Sequence, residues 1–186
     1  ARQGSTRPTP SPAPAGQGGT TFRPAAQSIV PQALARDVAR SPSDRATLER
    51  VFNDLLENYK DRLRQRGSAP NDVSRAASFL ISASYTVYRD GETLSEQHFT
   101  ALREQVRAAF LDDPDFARRG DRERQRLFES FAITGAFLDI GYQLARQRGD
   151  RNALAELRQV AEHQLQEMLG APADRISLTE GGIVFR

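Results

Sequence analysis

From Leu48 to Leu169 apolar residues recur at helical spacing, whereas the first twenty positions carry no such rhythm. Ser41-Pro42-Ser43-Asp44 is a helix start: a Ser N-cap, Pro at the next position and an acid at the third. Behind it Leu48, Val51, Phe52, Leu55, Leu56, Tyr59 and Leu63 fall on one stripe, and Gly67 ends the helix. Asn71 or Asp72 caps a second helix with Val73, Ala76, Ala77, Leu80, Ser84 and Val87 inward, closing at Arg89-Asp90-Gly91. Ser95 caps a third, with Leu94 and Phe99 at the two hydrophobic-staple positions. Its stripe is Phe99, Leu102, Val106, Ala109 and Phe110, and Asp112-Asp113-Pro114 ends it. Upstream, Phe22 to Val30 reads as a short apolar transition that packs on the body, and Pro31 opens a short helix through Arg40.

Asp121 to Arg148 has a different pattern. At about 100° per residue, Leu127, Phe131, Leu138 and Tyr142 form one apolar face, and Ile133, Phe137, Ile140 and Leu144 a second, nearly opposite one. Glu129, Asp139 and Gln143 lie in a polar wedge between them. A helix apolar on two faces is sandwiched between neighbours, so this pattern predicts the central helix, with Phe131, Phe137, Leu138 and Leu144 all buried. Gly135 and Gly141 would let a neighbouring helix approach closely. After Gly149, Asp150 starts a last helix carrying Leu154, Leu157, Ala161, Leu165, Met168 and Leu169, closed by Gly170 and Pro172. Residues 174–186 read as two short extended pieces around Thr179-Glu180-Gly181-Gly182, a hairpin pattern. The expected fold is all-α: a single bundle of five to six helices around a central two-faced helix, with a short C-terminal β-hairpin.

Composition changes this picture at the N-terminus. Residues 1–20 hold four Pro, four Gly and, proline aside, no apolar side chain larger than Ala. Such a segment cannot offset its chain entropy by burial, so residues 1–21 are expected to be a disordered tether and residues 22–186 the helical domain. Across 186 residues the apolar content is 38%, with mean hydropathy −0.59, which suits one soluble domain. No apolar run approaches the ~20 residues that span a bilayer, so no transmembrane segment is expected. The net charge of +2 does not by itself point to nucleic acid. The pI of 9.4 follows from residue type, because Lys60 is the sole Lys among 26 basic residues and Arg titrates far above Lys. With no Cys, disulfides, thiolate metal sites and thiol catalysis are excluded. The chain begins at Ala1 without Met and runs into Pro, Ser and Thr, as in a mature exported protein whose signal peptide has been removed; a periplasmic or secreted location is expected.

Four blocks, FLISASYTVYRDGETLS, FTALREQVRAAF, FAITGAFLDIGYQLARQRGD and LGAPADRISLTEGG, resemble an uncharacterised bacterial family, a domain of unknown function whose members typically carry export signals. The resemblance covers roughly residues 45–182 and implies helical fold and export. It implies no activity and no catalytic residues.

Candidate chemistry is sparse. His98 and His163 lack companions at ligand spacing, Glu167 being the nearest approach, so neither metal nor cofactor is expected. Asp90-Gly91-Glu92 lacks the alternating oxygen ligands of a calcium loop and reads as a helix–helix turn. Ser82 and Ser84 lie in a packed helix without a nucleophile elbow, where back-bonding to a carbonyl is the ordinary state. Glu129 and Asp139 are ten positions apart on one helix, ~15 Å, too far for a direct carboxylate pair. No catalytic residue is assigned. The arginines are more suggestive: Arg118, Arg119, Arg122, Arg124 and Arg126 crowd a helix start, where positive charge is disfavoured, and so suit an anionic partner. Asp115, Asp121 and Glu123 are interleaved with them. Tyr85, Tyr88, Asp139 and Tyr142 are the candidates for lining a pocket beside the central helix. Together these features predict a non-enzymatic exported interaction module with a protein or anionic partner and no nucleic acid. A helical pocket protein for a small apolar or anionic ligand is the alternative, and an enzyme of unrecognised type the third reading.

Overall fold

The computed structural model describes residues 19–92 and 94–186. Seven α-helices are formed among them: α1 (Val30–Val38), α2 (Pro42–Gln65), α3 (Val73–Tyr88), α4 (Glu96–Asp112), α5 (Pro114–Arg118), α6 (Asp121–Arg148) and α7 (Arg151–Leu169). A 3₁₀ turn at Ala173–Arg175 leads into strands β1 (Ile176–Thr179) and β2 (Gly182–Phe185). The expected tether lies outside the described residues as far as residue 18.

The predicted caps are in place. Ser41 Oγ accepts from the Asp44 N–H, Asp72 from Ser74 and Arg75, and Asp150 from Ala153. Ser95 forms a reciprocal cap in which His98 Nδ1 accepts the Ser95 N–H, giving that histidine a structural role. One helix was not expected: Asp113 both ends α4 and caps α5, which inserts Phe116 edge-on against Phe110 at 4.7 Å between ring centroids.

The centre of the bundle differs from the expectation. Twelve of the sixteen residues of α3 are buried, and α4, α6 and α7 all pack on it. Its Ala and Ser residues are short enough to admit neighbours on nearly every side. Ser82 satisfies its hydroxyl on the Phe79 carbonyl as expected, and Ser78 does so on that of Ser74; Ser84 does not, its Oγ being buried without a partner. Helix α6 does meet α1, α2, α3 and α7, and its two glycines mark close approaches. A Cβ on Gly135 would sit 2.8 Å from the Phe79 ring and 3.2 Å from Leu80 Cα, and one on Gly141 3.3 Å from Leu157. Yet the second face of α6 is covered only at its start. Leu138 is fully buried and Phe131 partly so, whereas Phe137 is 46% and Leu144 43% exposed. Among the described residues no helix lies over them. Val51, on the α2 stripe, is likewise exposed.

Of the polar wedge only Glu129 faces inward, while Asp139 is half-buried and Gln143 exposed; with Asp121 and Gln125 on the same side of α6, Glu129 holds a strap formed by residues 19–30. Asp121 accepts the Arg23 N–H and Gln125 that of Ala25, while Gln125 Nε2 donates to the Gln27 carbonyl. Glu129, 1% exposed, accepts the N–H groups of both Ile29 and Val30 at 2.8 Å. The body therefore starts before Phe22: Thr20 is buried, Thr21 bridges to Asp72, and Phe22 packs on Phe128 at 5.4 Å between ring centroids. Side chains at i, i+4 and i+8 serve here as the hydrogen-bond ladder that an extended strap cannot supply itself.

At the C-terminus β1 and β2 pair antiparallel with Thr179 opposite Gly182. Gln105 on α4 accepts the Ile183 N–H and donates to its carbonyl, and Arg89 donates to the Ile176 carbonyl. These contacts occupy outward-facing groups on both strands, which guards a short sheet against further pairing.

Candidate functional site

The five clustered arginines are not one site. Arg124 is buried and structural: it donates to the carbonyls of Gly19, Thr21, Phe116 and Arg119 and lies 4.6 Å over the Phe116 ring. It ties the start of the strap to α5, so it is not available to an anionic partner. Arg118 pairs with Asp115. Arg119, Arg122 and Arg126 are exposed and form no ion pair among the described residues. Burial of Arg124 was not readable from local charge, because two of the four carbonyls it serves, those of Gly19 and Thr21, lie some hundred positions upstream.

The pocket candidates also divide. Asp139 and Tyr142 line a cleft of about 230 Å³ with Tyr59, Arg62, Phe79 and Thr86. Arg62 closes its rim by pairing with Asp139 at 3.0 Å, and Gln143 donates to the same carboxylate. Tyr142 donates to Asp90 at 3.0 Å and accepts from Arg146 at 3.2 Å. Burial raises the Tyr142 phenol above its ordinary pKa, opposed by the Arg146 hydrogen bond. That network needs Gly91: a Cβ there would lie 2.7 Å from Arg146 Nη1 and 2.9 Å from the Tyr142 hydroxyl. Tyr85 and Tyr88 are elsewhere. Tyr85 is a core residue, and the Tyr88 ring lies beneath the guanidinium groups of Arg89 and Arg158. At 230 Å³ the cleft is below the ~300–1,000 Å³ usual for small-molecule sites.

A more apolar groove lies on the outer side of α6 and α7. Phe137, Gly141 and Leu144 from α6 meet Ala153, Leu157 and Val160 from α7 around a groove of about 340 Å³. Phe137, Leu144 and Val160 are all large apolar residues left exposed beside one another. Gly141 lowers the floor between the first two. At one end the groove is rimmed by Arg148, Asp150 and Glu156, none of which forms an ion pair among the described residues. Periodicity marks this apolar face; what it could not supply is that no described helix covers it.

Fold and face thus define an all-α bundle in which, among the described residues, an apolar face of α6 and α7 is left uncovered. The chain matches a family of unknown function (DUF6683) over residues 1–186 and belongs to it. No curated protein and no solved structure matches it. Among the described residues no group of three or more His, Cys, Asp or Glu is placed to hold a metal, and no helix is long and apolar enough to cross a membrane.

Proposed function

We propose that this chain is a non-catalytic, exported bacterial interaction module that works through its α6–α7 face, and that the chain seated there is a second copy of itself. The observation that carries the reading is the exposed trio Phe137, Leu144 and Val160 around the Gly141 depression. A two-fold interface must complement itself. On α6, Phe137 and Leu144 flank Gly141 at nearly equal distances along the helix, so an antiparallel partner sets each Phe137 against the other's Leu144. The non-catalytic part is supported by the use of the polar side chains: Arg124, Gln125 and Glu129 are engaged in holding the strap. Export rests on the Pro-, Ser- and Thr-rich first twenty residues and on the family resemblance.

Sedimentation velocity over a range of concentrations tests the assembly. The wild-type chain should dimerise, and Phe137→Asp should be monomeric with an unchanged helical circular dichroism spectrum. A wild-type chain that stays monomeric at the highest concentration, or a Phe137→Asp variant that dimerises as well as the parent, overturns self-pairing. Fractionation of the native cells tests export, and retention in the cytoplasm overturns it.

A further inference from the structure

A second cleft, of about 180 Å³, opens between the start of α3 and α4, well separated in the chain from the Arg118–Arg126 cluster. Arg75 lines it from α3, and Arg103 and Arg107 line it from successive turns of α4. None of these three forms an ion pair among the described residues. The Nε atoms of Arg75 and Arg103 are also buried without a hydrogen-bond partner. Two acids share the wall, which leaves an excess of positive charge, and neither forms an ion pair with the arginines among the described residues. Asp72 Oδ1 is engaged by the Ser74 N–H and by the hydroxyls of Thr20 and Ser74, and Glu104 is exposed. Three like charges around one small space repel, and buried donors without acceptors destabilise the fold further. One anion in the cleft would relieve the repulsion.

We infer that the α3–α4 cleft binds a phosphate group. A carboxylate presents two oxygens in one plane and matches a single guanidinium fork, whereas a phosphate offers oxygens in several directions and can engage guanidinium groups from two helices at once. Thr100 adds a donor. Its hydroxyl accepts from Arg103 Nη2 at 3.5 Å, which leaves its own proton free for the ligand. The cleft takes either a free phosphate ion or the phosphate of a small monoester. It lies apart from the α6–α7 face, so it stands or falls independently of self-pairing.

The test is calorimetric titration of the full chain with inorganic phosphate and, separately, with glycerol 3-phosphate, at constant ionic strength set with chloride. Backbone amide shifts are followed in parallel. Saturable binding with shifts at Arg75, Thr100 and Arg103 is expected. Arg103→Gln should weaken it by roughly tenfold or more. Arg107→Gln, at an exposed position that the fold does not depend on, should weaken it too. Arg119→Gln and Arg122→Gln should bind as the parent does. Binding of the ion alone assigns a free-phosphate site, and binding of the ester alone assigns a monoester site. Saturable binding of neither ligand overturns the proposal, as does affinity unchanged in both Arg103→Gln and Arg107→Gln.

Discussion

Glu129, in the interior of α6, and Val30, the first residue of α1, are joined by a 2.8 Å hydrogen bond in which the buried carboxylate accepts the Val30 N–H. The same oxygen accepts from Ile29, and the other accepts from Gln125 Nε2. A carboxylate at a helix N-terminus is favoured by the free N–H groups and by the dipole. Here the acid comes from another helix, a hundred positions away in the chain. It therefore sets the position of α1, and with it the strap, on the bundle.

Glu129→Ala should accordingly cost about 2–4 kcal/mol, since it strands two backbone donors and the Gln125 amide in a buried place. Asp139→Ala, which breaks a partly exposed pair with Arg62, should cost under ~1 kcal/mol. Urea denaturation separates them, and amide exchange at Ile29 and Val30 should quicken in the Glu129 variant alone. Equal, small losses in both would mean that the strap does not depend on the acid.

Two phenylalanines on α6 should behave oppositely. Phe128 is 1% exposed and packs between Phe22 and Tyr59, so Phe128→Ala should lose ~3–5 kcal/mol. Phe137→Ala should lose under ~1 kcal/mol of monomer stability while weakening self-association. Comparable destabilisation of the monomer by both, measured below the dimerisation range, would place Phe137 in the core.

Gly135→Ala should destabilise by ~1–3 kcal/mol, because the new methyl meets the Phe79 ring and the Leu80 backbone and the helices must separate. At Gly141 the same change meets only the flexible end of Leu157 and should cost less. Thermal melts of the two variants decide; a Gly135→Ala chain as stable as the parent would mean that the α3–α6 contact is looser than described.

Tyr59 offers a test at alkaline pH. Burial raises its phenol well above the ordinary range, with nearby Arg75 opposing, and its hydroxyl has no hydrogen-bond partner. The folded state thus keeps a proton that the unfolded chain loses near its ordinary value of about 10. This contribution is fully present below that value and is lost as pH rises through it towards the folded pKa. Tyr59→Phe should be neutral or stabilising by up to ~1 kcal/mol at neutral pH, since it deletes an unsatisfied group. It should also lose less stability than the parent between about pH 9 and about pH 11. A steeper alkaline fall in the variant would contradict the assignment.

Helix identity and ends were legible in the chain because they depend on neighbours three and four residues away: Ser41, Asp72, Ser95 and Asp150 cap where the pattern puts them. The C-terminal hairpin and the close approaches at Gly135 and Gly141 follow from equally local signals. Which helix stands at the centre did not. Periodicity measures how apolar a face is, and α6 is apolar on two. The short Ala and Ser side chains of α3 carry little apolar signal, yet they allow the closest packing. Polar residues were misplaced for a related reason. Glu129 and Arg124 read as solvent-facing from their own helix, because the Ile29 and Val30 amides and the Gly19 and Thr21 carbonyls that draw them inward arrive through tertiary folding. Arg75 and Arg103 meet across two helices for the same reason, twenty-eight positions apart in the chain. Local spacing determines which segments become helices and which faces are apolar. Only the assembled bundle decides which apolar face stays uncovered and which charges have a backbone to serve, because both depend on contacts between residues far apart in the chain.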